Sequence, residues 1–455
     1  MRGAGFMNRR ERFFFIASAP LVAASVLLAC SDDDRRVFEE APDAAPDSRP
    51  NLPEASAPLE DAGVIDARVP FDASDEPVVC TAKPCVTQLV GAGNHFCALL
   101  DDKTVHCWGS AAQALGTFDG GAAYGAAQPS PMSMGIEGVE QISSANATTC
   151  ALLANGTVTC WGANGSNELG FDPPAASFQA HDPVLVAFDG GVLDGITRVD
   201  VGPGMVFATQ ASGELWSWGD NGDGILGRMN EPADYLSAGK ATDLAGEKIW
   251  RGGGVGFRWG FTGIGFAITE DRRLLTWGRS KQAVAYPGPV PVAVDGLENV
   301  SSASAVQDQL CAVADGRLHC WGRSGLKACS GTNDVITTPL EIRTQGKAPA
   351  QQVALNYDNT CVRLTDGTVE CCGNDNLGQL GTGITDAGEP VSAPVLTKAT
   401  AFTAHAVQIA VGATTICALV QGGTVQCWGG NADGQLGQGT RDTERHPVPV
   451  TVKFD

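Results

Sequence analysis

Basic residues are scarce in this sequence. Its 30 Lys and Arg residues stand against 51 Asp and Glu residues, which gives a formal net charge of −21 at pH 7. Binding to a phosphate backbone draws on clustered Lys and Arg side chains. The composition therefore argues against a nucleic-acid partner.

Motifs for catalysis and for cofactor binding are also missing. The sequence has no Gly-x-Ser-x-Gly elbow, no Walker loop and no paired-carboxylate motif. Its six histidines lack the spacing of metal ligands: His95, His106, His181, His319, His405 and His446. We therefore predict a protein that is not an enzyme, with no catalytic residue, no metal and no cofactor.

One short stretch returns seven times along the chain. In its second copy, 150–162, two runs of strand-forming residues flank a Gly-containing turn, which predicts a β-hairpin. The copies are 97–109, 150–162, 207–219, 266–278, 311–322, 361–373 and 417–429. A β-hairpin that recurs in this way is typical of a propeller, and we expect the Trp near the end of six of the copies to pack in a blade core.

The hairpins also predict disulfide bonds. The three-residue turn Ala154-Asn155-Gly156 places Cys150 and Cys160 opposite each other on one face of their hairpin. The third and fourth copies lack both cysteines, and such joint loss is what pairing requires. The predicted pairs are Cys97–Cys107, Cys150–Cys160, Cys311–Cys320, Cys361–Cys371 and Cys417–Cys427.

The remaining cysteines are less regular. The total of 15 is typical of an oxidising compartment. Cys80 and Cys85 are placed to close a small loop at the start of the domain. Cys329 and Cys372, the latter standing where other copies have Trp, have no partner in the repeat, and whether they meet depends on the fold.

Residues 1–30 have the basic head and short apolar run of an export signal. The run ends in Leu27-Leu28-Ala29-Cys30, which resembles the lipobox of bacterial lipoproteins. This resemblance implies that Cys30 is lipidated and becomes the mature N-terminus. Because Ser31 rather than Asp follows, we expect the protein in the bacterial cell envelope, with the outer membrane favoured. The alternative is an ordinary signal peptide.

Residues 31–79 differ in composition from the rest of the chain. They contain seven prolines with many Ala, Asp and Glu residues, and little that could be buried. Such a segment is expected to stay disordered and extended. We predict a linker between the lipid anchor and a domain that covers residues 80–455.

Each unit of this domain adds a Gly-rich turn and a Pro-flanked strand to its hairpin. The turn is fullest in Trp428-Gly-Gly-Asn-Ala-Asp-Gly-Gln-Leu-Gly437, and the strand in Pro447-Val-Pro-Val450. These units resemble regulator of chromosome condensation (RCC-type) repeats. The resemblance implies an all-β, seven-bladed propeller of four-stranded antiparallel blades, which we expect to be monomeric.

The ends of the repeat array predict how the ring closes. The first unit opens at Val86 without a Pro-Val strand before it, whereas the chain ends on one, at 447–452. We therefore expect the C-terminal strand to pair into the first blade and remove the open edges.

The fourth unit departs from its own repeat. Ile249 and Phe266 enclose a segment longer than its counterparts elsewhere. Aromatic and Arg residues on a projecting loop are typical of interface hot spots. The candidate partner-binding residues are Arg251, Phe257, Arg258, Trp259 and Phe261. The alternative is a loop that packs over the funnel as a plug.

These observations favour a lipid-anchored, extracytoplasmic propeller that serves as a non-catalytic binding scaffold for a protein or glycan. One alternative is an inhibitor of an extracytoplasmic enzyme such as a β-lactamase. A guanine-nucleotide exchange regulator, as the resemblance implies for some of the family, is disfavoured by the export signal. A secreted lyase or hydrolase lacks matching acidic or His positions. Fold alone does not name the partner.

Overall fold

A computed structural model of the chain describes residues 75–454 except 111–126, 173, 176, 233, 257–261, 281–287, 324–328, 332–334 and 385–391. The export signal, Cys30 and the linker up to residue 74 lie outside the described residues. In the described part, no helix is long and apolar enough to cross a membrane.

Four-stranded antiparallel sheets make up the domain. The first blade contains β1 (Val86–Ala92), β2 (His95–Leu100), β3 (Val105–Ser110) and β4 (Ala127–Ser133). The second contains β5 (Val139–Ala145), β6 (Thr148–Leu153), β7 (Val158–Asn164) and β8 (Ser177–Leu185). A two-stranded ribbon, β9 (Ala187–Phe188) with β10 (Gly191–Val192), follows it. The third contains β11 (Ile196–Gly202), β12 (Met205–Gln210), β13 (Leu215–Asp220) and β14 (Tyr235–Lys240).

The other four blades have the same composition. The fourth contains β15 (Ile249–Val255), β16 (Thr262–Thr269), β17 (Leu274–Ser280) and β18 (Gly288–Ala293). The fifth contains β19 (Val300–Val306), β20 (Gln309–Ala314), β21 (Arg317–Arg323) and β22 (Val335–Ile342). The sixth contains β23 (Ala350–Leu355), β24 (Asn359–Leu364), β25 (Val369–Asn374) and β26 (Ser392–Lys398). The seventh contains β27 (Ala406–Val411), β28 (Thr415–Val420), β29 (Val425–Gly429) and β30 (His446–Thr451). Two short 3-10 helices are Gly222–Gly224 and Thr242–Leu244.

The predicted seven-bladed β-propeller is confirmed. In each blade the strands follow one another in sequence order from the innermost to the outermost. The second strand is covered on both faces by neighbouring blades, so β2 and β20 are buried along their whole length. The outermost strand is more exposed and carries prolines, as in β18, because an edge strand tolerates a missing backbone N–H.

The predicted hairpin geometry is present in every cysteine-bearing blade. Cys150 lies directly opposite Cys160 with a Cα–Cα distance of 4.0 Å, and Gly156 closes the turn with φ 81°. The backbone thus takes the left-handed conformation that glycine adopts without steric cost. The structure forms the five hairpin disulfides, the Cys80–Cys85 bond and a seventh bond, Cys329–Cys372.

The C-terminal strand does not pair into the first blade, so that prediction is wrong. Strand β30 pairs with β29 of its own blade, and β4 already completes the first. The outer position that the final strand was expected to fill is therefore occupied. Blades seven and one instead meet through ordinary junction contacts. Val86 N donates to Gly423 O at 2.9 Å, as Ile196 N donates to Gly156 O at 3.0 Å between blades two and three.

Tryptophans connect neighbouring blades. Trp108, Trp161, Trp218, Trp277 and Trp428 are fully buried, as predicted, and Trp321 is 2% exposed. The indole Nε1 of Trp218 donates to Glu168 O at 2.8 Å, and that of Trp428 donates to Gln379 O at 2.9 Å. Each acceptor belongs to the Gly-rich turn of the preceding blade. The Trp of one blade and the Gly-rich turn of the preceding blade therefore stabilise the junction between these two blades.

The two ends of the propeller differ. The short turns between the second and third strands lie where the innermost strands begin, and we call this the turn face. The connections between the third and fourth strands, which are longer, lie where the innermost strands end, and we call this the loop face.

Candidate functional site

Two cavities lie along the axis of the ring, one at each face. The loop-face cavity has a volume of about 350 Å³ and the turn-face cavity about 480 Å³. Gln352 and Gln408 line both. Because inner strands of all seven blades contribute to each cavity, any ligand there would contact several repeats at once.

The loop-face cavity has little chemistry to offer. Small residues and backbone dominate its wall, among them Gly91, Gly253, Ala303, Ala354 and Ala410. Nearby His95 is 1% exposed, and its Nε2 lies 3.0 Å from Ser144 Oγ and 3.2 Å from Thr149 Oγ1. Burial lowers the pKa of His95 to about 4, so the imidazole is neutral near pH 7. It packs a blade junction and does not act as a proton donor.

The turn-face cavity is surrounded by a ring of junction hydrogen bonds. At the third position of the innermost strand, four blades carry Gln: Gln88, Gln141, Gln352 and Gln408. Gln141 Oε1 accepts from Val199 N at 2.8 Å, and its Nε2 donates to Val199 O at 2.6 Å. The equivalent Ser302 accepts from Val353 N at 3.2 Å. These uncharged side chains satisfy backbone hydrogen-bonding groups of the next blade.

Blades three and four break this pattern with Arg198 and Arg251. Asp200 takes over the junction contact, accepting from Gly252 N at 3.2 Å. Arg198 binds Asp200 through two atoms, Nε at 3.0 Å and Nη2 at 3.0 Å. Both guanidinium side chains line the cavity. At the third position of the innermost strand, cationic side chains therefore occur in blades three and four, while Lys103 and Arg363 line the cavity from outside the innermost strands.

A third arginine and a tryptophan complete a cationic–aromatic cluster. The Arg272 guanidinium carbon lies 3.5 Å from the centre of the Trp250 ring, and that of Arg251 lies 4.1 Å from it. Arg272 has φ 64° at the turn position that is Gly156 in the second blade. Lys103 takes the same conformation, with φ 67°, at this turn position of the first blade, so the conformation belongs to the turn and not to the cluster. We call Arg198, Trp250, Arg251 and Arg272 the Trp250 cluster.

Electrostatics within the cluster are unfavourable without an anion. Burial, reinforced by the charge of Arg198, lowers the pKa of Arg251 to about 10. The side chain stays protonated near pH 7 while only 20% of it is exposed. Its Nε is buried without a hydrogen-bond partner. A carboxylate beside Arg251 is therefore strongly favoured.

The chain supplies that carboxylate from its own N-terminal side. Asp75 Oδ2 lies 2.5 Å from Arg251 Nη2, and Glu76 Oε2 lies 3.1 Å from Arg363 Nη1. Glu76 also lies 2.7 Å from His405 Nε2. Val79 N donates to Gln421 O at 2.8 Å. The linker was predicted to run to residue 79, but residues 75–79 already contact the turn face, so its end is corrected.

One of the predicted partner-binding residues lies in the described part of the chain. Arg251 is the third residue of β15, near the turn-face end of that strand, and it lines the turn-face cavity. Phe257, Arg258, Trp259 and Phe261 lie outside the described residues, so their grouping with Arg251 stays a prediction.

The Trp250 cluster was not predicted, because the prediction was based on the hairpins of the second and third strands and not on the innermost strands. Aligning 86–92 with 196–202 and 249–255 would have shown Arg at the third position where other units have Gln. That replacement was visible in the sequence. Asp75 could not have been placed, because its contact spans 176 positions of sequence.

No cluster of metal ligands is present in the part of the chain that the structure describes, where no group of three or more His, Cys, Asp or Glu side chains is arranged to hold an ion. The site thus offers cations, an indole ring and junction amides. Such a set can bind and orient a ligand, which defines a binding module.

Comparison with known proteins identifies the kind of repeat. Models of the regulator of chromosome condensation (RCC1) repeat match residues 86–112, 139–168, 406–435 and 422–455. The chain is a seven-bladed propeller whose first, second and seventh blades match this repeat.

Known RCC1-repeat proteins resemble it at low identity. The ultraviolet-B receptor UVR8 of Arabidopsis thaliana is 25% identical over 254 residues, which are 54% of this chain and 55% of UVR8. Human E3 ubiquitin-protein ligase HERC2 is 26% identical over 248 residues, 50% of this chain and 5% of HERC2. The chain thus spans about half of the first relative and much less of the second.

Solved structures agree on the fold. Human WBSCR16 superimposes with a TM-score of 0.62 at 20% identity, covering 77% of this chain and 94% of WBSCR16. Prp20p of Saccharomyces cerevisiae also gives 0.62, at 17% identity, covering 83% of this chain and 90% of Prp20p. At these identities the likeness concerns the fold alone.

Proposed function

We propose that this protein is a lipid-anchored, extracytoplasmic binding scaffold that recognises a partner without catalysing a reaction. The observation that carries the proposal is the turn-face cavity of about 480 Å³, which is lined by a rigid ring of inner strands and by two arginines of the Trp250 cluster, Arg198 and Arg251. Rigid presentation lowers the entropic cost of binding, because few side chains must be ordered on association. Prp20p, with the same fold, has binding properties to Gsp1p and histones.

The extracytoplasmic location is supported by the cysteines. Seven disulfides in one domain are typical of proteins from oxidising compartments and rare in the cytosol. The lipid anchor rests on the sequence around Cys30. The partner is a protein or a glycan.

Fractionation and labelling test the proposal together. The wild-type chain should sediment with membranes and be released only by detergent, whereas Cys30→Ala should be recovered without detergent. A proximity-labelling enzyme fused at the C-terminus should then mark envelope proteins in living cells. A wild-type chain that is soluble with its leader intact would exclude the anchor, and hydrolysis or elimination of an envelope substrate by the purified protein would exclude the non-catalytic role.

A further inference from the structure

The strongest unassigned feature is the Trp250 cluster and the segment that covers it. Three arginines surround one indole ring, and two carboxylates face them in the structure, Asp200 and Asp75. Asp200 belongs to the propeller ring and also accepts a backbone amide from the next blade. Asp75 belongs to the segment that precedes the ring. A ligand can therefore displace Asp75 from the Trp250 cluster more easily than it can displace Asp200.

Asp75 is held loosely. Its side chain is 75% exposed, whereas that of Arg251 is 20% exposed. Ion pairs with one exposed partner contribute little to stability, because the exposed group is well solvated when it leaves. A competing carboxylate can therefore replace Asp75 at small cost, and the exchange leaves no buried charge unpaired.

Glu76 behaves differently. Its side chain is 20% exposed and lies against Arg363, which is 2% exposed, as well as His405. Removing the partner of a buried charge costs several kcal/mol. Glu76 therefore anchors the segment, while Asp75 occupies an exchangeable position beside an open cavity.

We propose that the Trp250 cluster is a binding site for an acidic side chain of a partner polypeptide, and that Asp75 occupies it in the free protein. A polypeptide is favoured because the present occupant is an extended peptide that also donates a backbone hydrogen bond, from Val79 N to Gln421 O. The site lies on the face where Lys103 binds Glu140 at 2.7 Å, so the cavity rim holds both charges. The inference rests on the proposed binding function and gives it a location and a ligand class.

Two departures from the repeat place positive charge at this site. Arg198 and Arg251 stand where four other blades have Gln. Gln satisfies both the N–H and the C=O of the next blade, as Gln88 does for Ile142. The cluster forgoes these bonds and gains local positive charge in a chain of net charge −21.

The test uses the full-length protein and a rhodamine-labelled peptide, acetyl-Ser-Asp-Glu-Pro-amide, with binding measured by fluorescence anisotropy. Asp75→Asn should bind the peptide about five-fold more tightly than wild type. The tethered Asp75 competes at an effective concentration on the order of millimolar, and the substitution removes that competition. Adding Arg251→Gln to Asp75→Asn should abolish the gain.

Controls separate this result from general effects. Arg317→Gln removes a half-exposed arginine of the turn face that lies outside the cavity, and it should leave peptide binding unchanged. The uncharged peptide acetyl-Ser-Asn-Gln-Pro-amide should not bind. Thermal unfolding verifies that each variant is folded, and if Arg251→Gln is not, the Asp75→Asn result alone decides.

Three outcomes would overturn the inference: equal binding by wild type and Asp75→Asn, equal binding of both peptides, or binding of oligogalacturonate but not of the acidic peptide. The last would make the site specific for an acidic glycan. None of these would contradict the proposed scaffold function, which fails separately if the membrane and labelling experiments fail.

Discussion

Cys372 occupies the position of the blade tryptophan, and its sulfur is bonded to Cys329 of the preceding blade. At four other junctions the indole of this position donates to a carbonyl of the preceding blade, as Trp428 does to Gln379 O at 2.9 Å. A covalent bond therefore replaces a hydrogen bond between blades five and six. The cysteine that interrupts the repeat keeps the function of the residue it replaces.

Removing this bond should destabilise the ring more than removing a hairpin disulfide. Cys329 and Cys372 are 43 positions apart, against 10 for Cys150 and Cys160. Because closure of a longer loop removes more entropy from the unfolded chain, we expect the double Ala variant at 329 and 372 to lose about 4 kcal/mol of unfolding free energy. The matched variant at 150 and 160 should lose about 3 kcal/mol. Denaturant titration without reductant measures both, and a larger loss in the hairpin variant would contradict the prediction.

The seven disulfides predict a defined peptide map. Proteolysis under non-reducing conditions with thiols blocked should recover all seven pairs. Cys80–Cys85 and Cys329–Cys372 are the informative ones, because neither follows from the hairpin spacing. A free thiol at Cys329 would show that blades five and six are not covalently joined.

The junction glutamines should contribute measurably to stability. In Gln141→Leu, the backbone N–H and C=O of Val199 lose their partners at 2.8 and 2.6 Å. Unsatisfied buried polar groups cost about 1–3 kcal/mol each, so we expect these two groups to cost about 2–6 kcal/mol of unfolding free energy. The control is Gln426→Leu, since Gln426 pairs with Ala418 and Thr451 within its own blade. Equal effects would mean that the glutamine ladder does not hold the blades together.

Stability should fall in acid because of His95. Its pKa is about 4 in the folded protein, below the ordinary value of 6.5, so between these values only the unfolded chain binds the proton. Its contribution is fully present above pH 6.5 and is lost as the pH falls towards 4, by about 3 kcal/mol. His95→Gln should flatten this part of the pH profile of unfolding free energy. An unchanged slope in the variant would assign the acid sensitivity to other groups.

The sequence predicted the blades but not their junctions. Hairpin length, turn glycines and opposed cysteines are local, so spacing was enough to place Cys150 against Cys160. Ring closure depends instead on which strand fills the outer position of the first blade. Strand β4, which contains Pro129 and Pro131, takes that position. Because residues 111–126 separate β4 from β3 in the sequence, the spacing of the repeat did not predict that β4 belongs to the first blade.

The candidate site was predicted only in part. Arg251 was predicted as a binding residue because it is close in sequence to an aromatic segment, 257–261, that lies outside the described residues. Its true neighbours, Trp250 and Arg272, are brought together by a β-hairpin and its turn. Asp75 comes from a segment whose composition predicted only disorder, because single-residue anchors leave no signal in composition.

Site-specific photo-crosslinking tests most directly whether this propeller binds its partner through the turn face. A photoreactive residue replaces exposed Thr87, which lines the turn-face cavity, or exposed Asn146, which lines the loop-face cavity. After irradiation of living cells, we expect a polypeptide adduct from position 87 that mass spectrometry identifies, that is absent at position 146, and that Arg251→Gln diminishes. Adducts from position 146 alone would contradict the account.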